Sequence, residues 1–250
     1  MRIYLAGIEI LINRVQSVVT AEPGKIYALS SFFYARRKPA YDALIPYFKD
    51  FLLDSGAFTF IQSRRNHQDW DSYLEEYAEY IKRLDIKKYF ELDIDAVVGY
   101  EKVKEFRGRL ERLTGRPCIP VWHKSRGKEE FLRLCEEYRT VAVGGIAVKH
   151  IRRDEYKYFP YLIREAHKRG CQLHALGFTN LAMLGKFHFD SVDSTSWTSG
   201  GRYGTTYRFN GRGLTSVGKR AGKRVGDSRN LDKYNFIEWV KFQQYALNHL

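Results

Sequence analysis

The stretch YFELDID, residues 89–95, decides the fold. It is a short run rich in apolar and aromatic residues, as in a β-strand, and it ends in acidic residues. Stretches with helical spacing lie on both sides of it, at 70–84 and 100–113. In the first stretch, Tyr73 and Leu74 begin a series of apolar residues at steps of three and four. A strand flanked by two helices indicates an α/β protein.

The same pattern recurs along the whole chain. Helical spacing also covers 128–138 and 154–169, with Gly170 as a stop signal, and a last helix is predicted over 234–250. The other strand-like runs are RIYLAG, IYALSSFFY, FLLDSGAF, CIPVWH, TVAVGG, QLHALGF and FDSVDS. Eight β units with intervening helices predict one α/β domain over residues 1–250, a single (β/α)8 TIM-type barrel.

Two points leave alternatives open in this fold prediction. Residues 7–25 fit either a loop or a short helix after the first strand. A doubly wound open sheet is the alternative fold, but LAGIEIL lacks the glycine-rich turn that usually follows the first strand of such a sheet.

Composition narrows the class of protein. The 250 residues are 44% hydrophobic, enough for a real core. The three cysteines, Cys118, Cys135 and Cys171, are widely spaced, so no zinc motif or disulfide framework is predicted. We therefore expect reduced, buried thiols in a protein of the cytoplasm. No signal peptide and no long apolar run appear, so we expect no membrane span.

Positive charge is concentrated near the C-terminus. The net charge is +13, and residues 200–230 hold eight Lys or Arg residues against one carboxylate, Asp227. Glycines and the aromatic residues Tyr203, Tyr207 and Phe209 are interleaved with these cations. This basic glycine-rich segment predicts contact with nucleic acid, and a solvated basic loop is the alternative. Its cations are Arg202, Arg208, Arg212, Lys219, Arg220, Lys223, Arg224 and Arg229.

Polar residues and glycines stand at the end of most predicted strands. Catalytic residues of a barrel come from these C-terminal strand ends. Each residue alone has an ordinary explanation as a helix cap or a turn residue, but several carboxylates at one barrel mouth would repel and split their pKa values. Paired carboxylates without a metal motif favour glycosyl chemistry. The residues are Asp54, Glu91, Asp93 and Asp95 on one predicted face, His123, Gly144, Gly145, Gly177, Asp190 and Asp193.

Four of these strand ends carry a resemblance to a known family. DSGAF, VGGIAV, LGF and the last strand with its downstream Thr, Arg and Gly, taken in this order over residues 54–207, resemble the tRNA-guanine transglycosylases. Those enzymes are (β/α)8 barrels that exchange a guanine base for a 7-deazaguanine. The resemblance implies that Asp54 is the general acid/base for the departing and entering base. It also implies that Phe58 stacks on that base.

The resemblance implies further base-binding residues. Asp93 would read the purine edge, with Asp95 nearby on the same face. His123 stands where the family has a base-contacting glutamine, so its role departs from the pattern. The remaining base-pocket residues implied by the resemblance are Gly144, Gly145, Ile146, Ala147 and Gly177.

The nucleophile of the family is an aspartate on the last strand, and this chain offers two. Matching the dipeptide Phe-Asp selects Asp190, whereas matching the residues that follow selects Asp193. Residues three apart on a strand face opposite sides, so only one of them can face the barrel mouth. The longer match makes Asp193 the predicted nucleophile and Asp190 the structural candidate. That match consists of Thr198, Arg202, Gly204 and Thr205.

Three departures from the family refine the expected substrate. The chain is shorter, it lacks the family's structural zinc motif, and Lys149 and His150 stand after Val148 where the family has a glutamate. That glutamate is linked to the aminomethyl base, so the free base is expected to be 7-cyano-7-deazaguanine (preQ0). A short, zinc-free chain is most similar to the DpdA-like DNA transglycosylases of phages and bacteria.

The predicted function is therefore base exchange in DNA through a covalent aspartyl glycosyl-enzyme, with no metal or other cofactor. Three alternatives remain open. They are the same exchange on tRNA, a barrel enzyme acting on a small phosphorylated substrate with VGGIA as an anion-binding turn, and a non-catalytic nucleic-acid-binding derivative.

Overall fold

Seven parallel strands form one curled sheet in the computed structural model, which describes residues 1–56, 59, 69–218 and 227–250. The order across the sheet is β3-β2-β1-β7-β6-β5-β4, as expected for a TIM-like α/β fold. Each neighbouring pair is parallel. The strands are β1 (Arg2–Ala6), β2 (Tyr27–Ser31), β3 (Asp50–Asp54), β4 (Val121–Trp122), β5 (Thr140–Val143), β6 (Gln172–Ala175) and β7 (Ser191–Ser194).

Helices connect these strands. The predicted helix over 70–84 begins after Asp69, whose carboxylate accepts the backbone N–H groups of Asp71 and Ser72 at 3.1 Å each. Residues 7–25, left open between loop and short helix, contain α1. The α-helices are α1 (Ile12–Ala21), α2 (Phe32–Ala35), α3 (Pro39–Asp42), α4 (Trp70–Arg83), α5 (Asp95–Val98), α6 (Tyr100–Thr114), α7 (Gly127–Glu137), α8 (Phe159–Lys168), α9 (Leu181–Leu184), α10 (Ser199–Tyr203) and α11 (Ser228–His249).

The predicted fourth strand is much shorter than expected. Tyr89 and Phe90 make isolated parallel bridges to Leu53 of β3 and to Ile119, just before β4. The chain then leaves the β conformation, because Ile94 N–H donates to the carbonyl of Leu92 (3.0 Å) in a tight turn. The prediction that Glu91, Asp93 and Asp95 alternate along one strand is therefore wrong, and Asp95 is instead the first residue of α5.

Strand alternation separates two apolar clusters. The larger cluster includes Leu53 and Val192 and packs with the helices. The smaller includes Tyr4, Leu52 and Phe90. Asp54 follows Leu52 by two residues and therefore shares its face of the curled sheet, which is the face opposite the one packed against the helices. The side chains of the smaller cluster thus lie beneath the polar strand ends.

The C-terminal part adds a helix and a hairpin to the sheet. Within the basic segment, β8 (Thr206–Phe209) pairs antiparallel with β9 (Leu214–Val217). The hairpin packs on α11, where the rings of Tyr207 and Trp239 lie 5.5 Å apart. Tyr207 is therefore buried, while Tyr203 remains 67% exposed and available for stacking.

Cys118, Cys135 and Cys171 are free thiols, and all three are buried as predicted. Among the described residues, no helix is both long and apolar enough to cross a membrane.

We expect Gln243 to anchor α11 to the sheet. Its Nε2 donates to the carbonyls of Ile3 (2.5 Å) and Tyr27 (2.8 Å), and its Oε1 accepts Tyr27 N–H (3.1 Å). Because Gln243→Ala leaves buried backbone groups unpaired, it should lower the free energy of unfolding in urea by about 2 kcal/mol. Gln244→Ala, which removes a surface bond to Lys25, is the control and should cost under about 0.5 kcal/mol. Equal losses would contradict this anchoring role.

Candidate active site

Asp54 closes β3 and is held by the backbone that follows it. Its Oδ2 accepts the N–H of Gly56 at 3.0 Å. Protein surrounds the carboxyl group, although part of the side chain remains accessible. This burial raises the pKa of Asp54 to about 7; the Gly56 bond opposes the rise, and the charges of Asp93 and Asp193 add to it. Asp54 can therefore hold or release a proton near neutral pH.

Asp193 lies in β7, and its side chain is 11% exposed. Its Oδ1 accepts Gly177 N–H at 2.7 Å and lies 3.3 Å from His174 Nε2. His174 is buried on β6, with its Nδ1 2.9 Å from Ser191 Oγ. The hydrogen bonds that fix Asp193 in the described part of the chain all engage Oδ1. Its Oδ2 thus keeps its lone pairs available for another partner.

Asp190 faces the other side of the sheet. Its Oδ2 accepts Leu173 N–H at 2.8 Å and lies 2.9 Å from Nε2 of His167, on α8. Val192 is two residues from Asp190, so the two side chains point to the same face of the sheet. Val192 belongs to the larger cluster that packs with the helices. The opposite orientation of Asp190 and Asp193 is the one that strand alternation predicts. Asp190 links a strand to an outer helix and lies away from Asp54.

Glu91 is fully buried and forms the centre of an ion-pair network. Its carboxylate accepts Arg107 Nε (2.5 Å), Arg126 Nη1 (3.2 Å) and the N–H of Val121 (2.9 Å). Burial raises the pKa of Glu91, and the two guanidinium groups oppose that rise. With its carboxylate fully engaged and no exposed surface, Glu91 supports the site from behind.

Arg126 joins three carboxylates at this edge of the sheet. Besides Glu91, its guanidinium contacts Asp95 at 2.9 Å and Asp93 at 3.6 Å. It also stacks 4.1 Å from the ring centre of Tyr100. Asp93 and Asp95 are therefore close in space, as the sequence predicts, although they are not on one strand.

His123 is paired with Asp93. Its Nε2 lies 2.8 and 3.0 Å from the two carboxylate oxygens of that residue. Burial lowers the pKa of His123, but the hydrogen bond and charge of Asp93 outweigh it and raise the pKa above the ordinary value. Gly144 packs against the imidazole so closely that a Cβ there would lie 2.6 Å from His123 Cε1. A side chain at position 144 would displace the ring.

The VGGIAV and LGF segments pack against each other. Gly177 has φ +67°, and a Cβ there would lie 2.7 Å from the Cβ of Ala147. Its N–H is the donor to Asp193, so the close approach at Gly177 and the position of Asp193 depend on each other. Ile146 is buried and Gly145 has φ +83° in the same turn. The structure thus brings Gly144, Gly145, Ile146 and Gly177 to one side of the site.

Glu9 belongs to the same edge and was missed from the sequence. It lies just after β1 and is 1% exposed, with Oε1 3.2 Å from the N–H of Ser31. Ser31 is the register partner of Asp54, and within the described residues neither Glu9 Oε2 nor Ser31 Oγ has a hydrogen-bond partner. Burial raises the pKa of Glu9 to about 7. In the sequence, Glu9 lies two residues beyond the strand-like run RIYLAG, so the strand-end pattern did not include it.

Some predicted residues lie outside the described part of the chain. Phe58 is one, and so are Lys219, Arg220, Lys223 and Arg224 of the basic segment. Arg202, Arg208 and Arg212 are described and exposed, on α10 and on the hairpin.

One group of side chains has the spacing of a metal site. Ligand atoms of Asp93, Asp95 and His123 all lie within 4.8 Å of one another. The guanidinium of Arg126 contacts both carboxylates, so protein charge already compensates this cluster. The cluster could accept a divalent cation only by competing with Arg126.

The arrangement supplies two carboxyl groups on one face with different environments. Asp193 is anchored through one oxygen, and Asp54 can exchange a proton near neutral pH. Such a pair suits nucleophilic attack coupled to proton transfer. No protein-family model matches the chain, and no curated protein matches it. The case for its function therefore rests on the chemistry of the site.

We expect Asp54→Asn to change how stability depends on pH. A carboxyl group with a raised folded-state pKa stabilises fully below its ordinary pKa, and this contribution is lost as pH rises through about 7. Asn does not titrate and has no such loss. Between about pH 5 and about pH 8, the free energy of unfolding of the variant should therefore rise by about 2 kcal/mol relative to that of the parent. Urea unfolding across this range measures the difference. Asp154→Asn, at an exposed position, is the control, and parallel curves for Asp54→Asn and the parent would contradict the raised pKa.

We expect Arg126 to be essential for the stability of the acidic cluster. Arg126→Gln leaves Glu91 with a single guanidinium and Asp95 without a cation, and should lower the free energy of unfolding by about 3 kcal/mol. The control is Lys124→Gln, which removes an exposed ion pair with Glu155 and should cost under about 1 kcal/mol. A similarly small cost at Arg126 would show that the cluster does not need this cation.

Proposed function

We propose that the protein is a transglycosylase that replaces guanine in DNA with a 7-deazaguanine, preQ0 being the expected base. The observation that carries the proposal is the pair formed by Asp193, anchored through Oδ1, and Asp54, with a pKa of about 7. A retaining exchange needs these two roles, a nucleophile and an acid/base with a pKa near the working pH. The resemblance of the strand-end motifs to the transglycosylases assigns the same roles to the same residues.

The reaction would proceed in two displacements. Asp193 Oδ2 attacks C1′ of the nucleotide, the C1′–N9 bond breaks, and Asp54 gives its proton to the departing guanine. Asp54 then takes the N9 proton of the entering deazaguanine, whose N9 attacks C1′ and releases the Asp193 carboxylate. Two inversions give overall retention, and the proton returns to Asp54.

The barrel architecture belongs to the proposal as well. The bridges of Tyr89 to β3 and of Phe90 to Ile119 place the segment 89–95 between β3 and β4, the two edge strands of the sheet. We infer that this run is the eighth member of a closed (β/α)8 barrel. In such a barrel the C-terminal strand ends meet at one mouth, which is where a flipped-out base would enter.

Surface charge supports a nucleic-acid substrate. Arg202, Arg208 and Arg212 are exposed on the segment that follows β7. A cavity of about 650 Å³ lies beside the site, with Gly177 and Ile146 in its wall, and is large enough for a nucleotide. Basic residues on its rim would attract the phosphates on either side of the exchanged base. They are Lys149, Arg152 and Arg153.

Base exchange is tested with isotope-labelled guanine and separate DNA and tRNA substrates, followed by nucleoside mass spectrometry. The parent should incorporate label and preQ0 into DNA. Asp193→Asn should lose at least about 10³-fold in rate, because it removes the nucleophile. Asp190→Asn, which keeps an acceptor for Leu173 N–H, is the matched control and should stay within about threefold.

Each contrary result has a definite meaning. Exchange by Asp193→Asn at the parental rate would contradict the mechanism, and exchange on tRNA alone would contradict the DNA assignment. Salt-dependent DNA binding with no exchange by the parent would identify a non-catalytic binding protein.

A further inference from the structure

A second cavity, of about 390 Å³, opens at the opposite end of the sheet from Asp54. Its wall includes Arg2, Thr140, Gln172 and Ser191, which are the first residues of β1, β5, β6 and β7. Since parallel strands begin at one edge of a sheet, these residues place the cavity at the N-terminal edge. Nothing in the proposed base exchange uses this edge.

The wall of this cavity is strongly basic. It contains Arg2, Lys87, Lys88 and Arg139, and no Asp or Glu is among its lining residues in the described part of the chain. Lys87 and Lys88 pair with acids that lie outside the wall, Asp85 and Asp50. The two arginines are different, because neither has a carboxylate partner among the described residues.

The hydrogen bonds of Arg2 leave its charge uncompensated. Its guanidinium donates to Gln172 Oε1 (2.8 Å) and to the backbone carbonyl of Asp190 (3.4 Å), which are both neutral groups. Arg139 is exposed at the rim. Cations gathered around one cavity repel each other, and a bound anion would remove that repulsion.

The depth of the cavity distinguishes it from a basic surface patch. It reaches the buried side chains of His174 and Ser191, which belong to the barrel interior. Tyr138 and Thr140, two residues with hydroxyl groups, also belong to its wall. The cavity thus has arginine and lysine residues in its wall and extends inward from the edge of the sheet.

We propose that this cavity binds a small phosphate-bearing anion, either inorganic or a small phosphate ester. Planar guanidinium groups bind phosphate oxygens through paired hydrogen bonds, and the volume suits a small ligand. His174 lies between the cavity and Asp193, 3.3 Å from its Oδ1. Bound anion would therefore be separated from Asp193 by one imidazole ring. The inference is independent of base exchange, because it concerns binding alone.

Isothermal titration with pyrophosphate, at constant ionic strength set by sodium chloride, tests the proposal. The parent should bind, and Arg139→Ala should weaken binding by at least about tenfold through loss of charge-assisted hydrogen bonds. Arg139 is exposed, so the variant is expected to fold. Arg112→Ala is the matched control, an exposed arginine of α6 outside the cavity wall, and should bind as the parent does.

A second titration, with a single-stranded oligodeoxynucleotide, distinguishes a site for small phosphate ligands from a site for the phosphates of a nucleic acid. Binding of pyrophosphate that depends on Arg139, with oligonucleotide binding unchanged by Arg139→Ala, supports a small-anion site. The proposal is overturned if the parent binds no pyrophosphate or if Arg139→Ala binds it as tightly as the parent. It is also overturned if only oligonucleotide binding depends on Arg139.

Discussion

The guanidinium of Arg126 makes the crowded acidic edge of this sheet possible. Glu91, Asp93 and Asp95 come together within residues 89–95. Burying even one carboxylate without a compensating cation costs on the order of several kcal/mol. Arg126 contacts all three, and Arg107 gives Glu91 a second cation. The position of this arginine, in the turn after β4, connects two neighbouring segments of the fold. Without it the acids would have to separate or take up protons.

Arg126 does not compensate the carboxylates on the other side of the site, which are those of Asp54, Glu9 and Asp193. Among the described residues, Asp54 accepts one backbone N–H and pairs with no cation, and Glu9 has a buried oxygen without a hydrogen-bond partner. Burial raises the pKa of each of these two carboxyl groups to about 7. Asp193 is oriented by a backbone amide and an imidazole and has no guanidinium partner. Glu91, Asp93 and Asp95 are thus held by a guanidinium, whereas Asp54 and Asp193 lack one in the described part of the chain; a two-carboxylate mechanism uses such a difference in environment.

Sequence patterns predicted the features that follow a regular helical or strand period. The helix over 70–84 was predicted because its apolar residues follow a helical period, and the structure has α4 at Trp70–Arg83 with Asp69 as its N-cap. Alternation on β7 separated Asp190 from Asp193 because side-chain direction on a strand depends only on parity. By contrast, YFELDID has the composition of a full strand, yet β structure ends at Phe90. The turn at Ile94 and the long-range pairing with Arg126 decide that ending, and neither is visible in local sequence.

The same limit explains the residues that were missed. Glu9 lies in a turn, and its burial depends on Ser31 from another strand and on Lys38, whose Nζ donates to the Glu9 carbonyl at 2.7 Å. The hairpin of β8 and β9 was hidden because glycines and arginines in the segment indicate a loop. Its strands are fixed by α11, where Asn235 and Glu238 accept the backbone N–H groups of Tyr207 and Phe209. Contacts between distant segments, rather than propensity, determine both features.

In the reaction that we propose, Asp193 forms a covalent bond with C1′ of the nucleotide. It is tested most directly by incubating the protein with a guanine-containing oligodeoxynucleotide, denaturing the mixture, digesting it and locating any adduct by peptide mass spectrometry. We expect a glycosyl ester on Asp193 that disappears when excess guanine or preQ0 is added before denaturation. An adduct on Asp190, or label exchange that proceeds with no adduct on any aspartate, would contradict it.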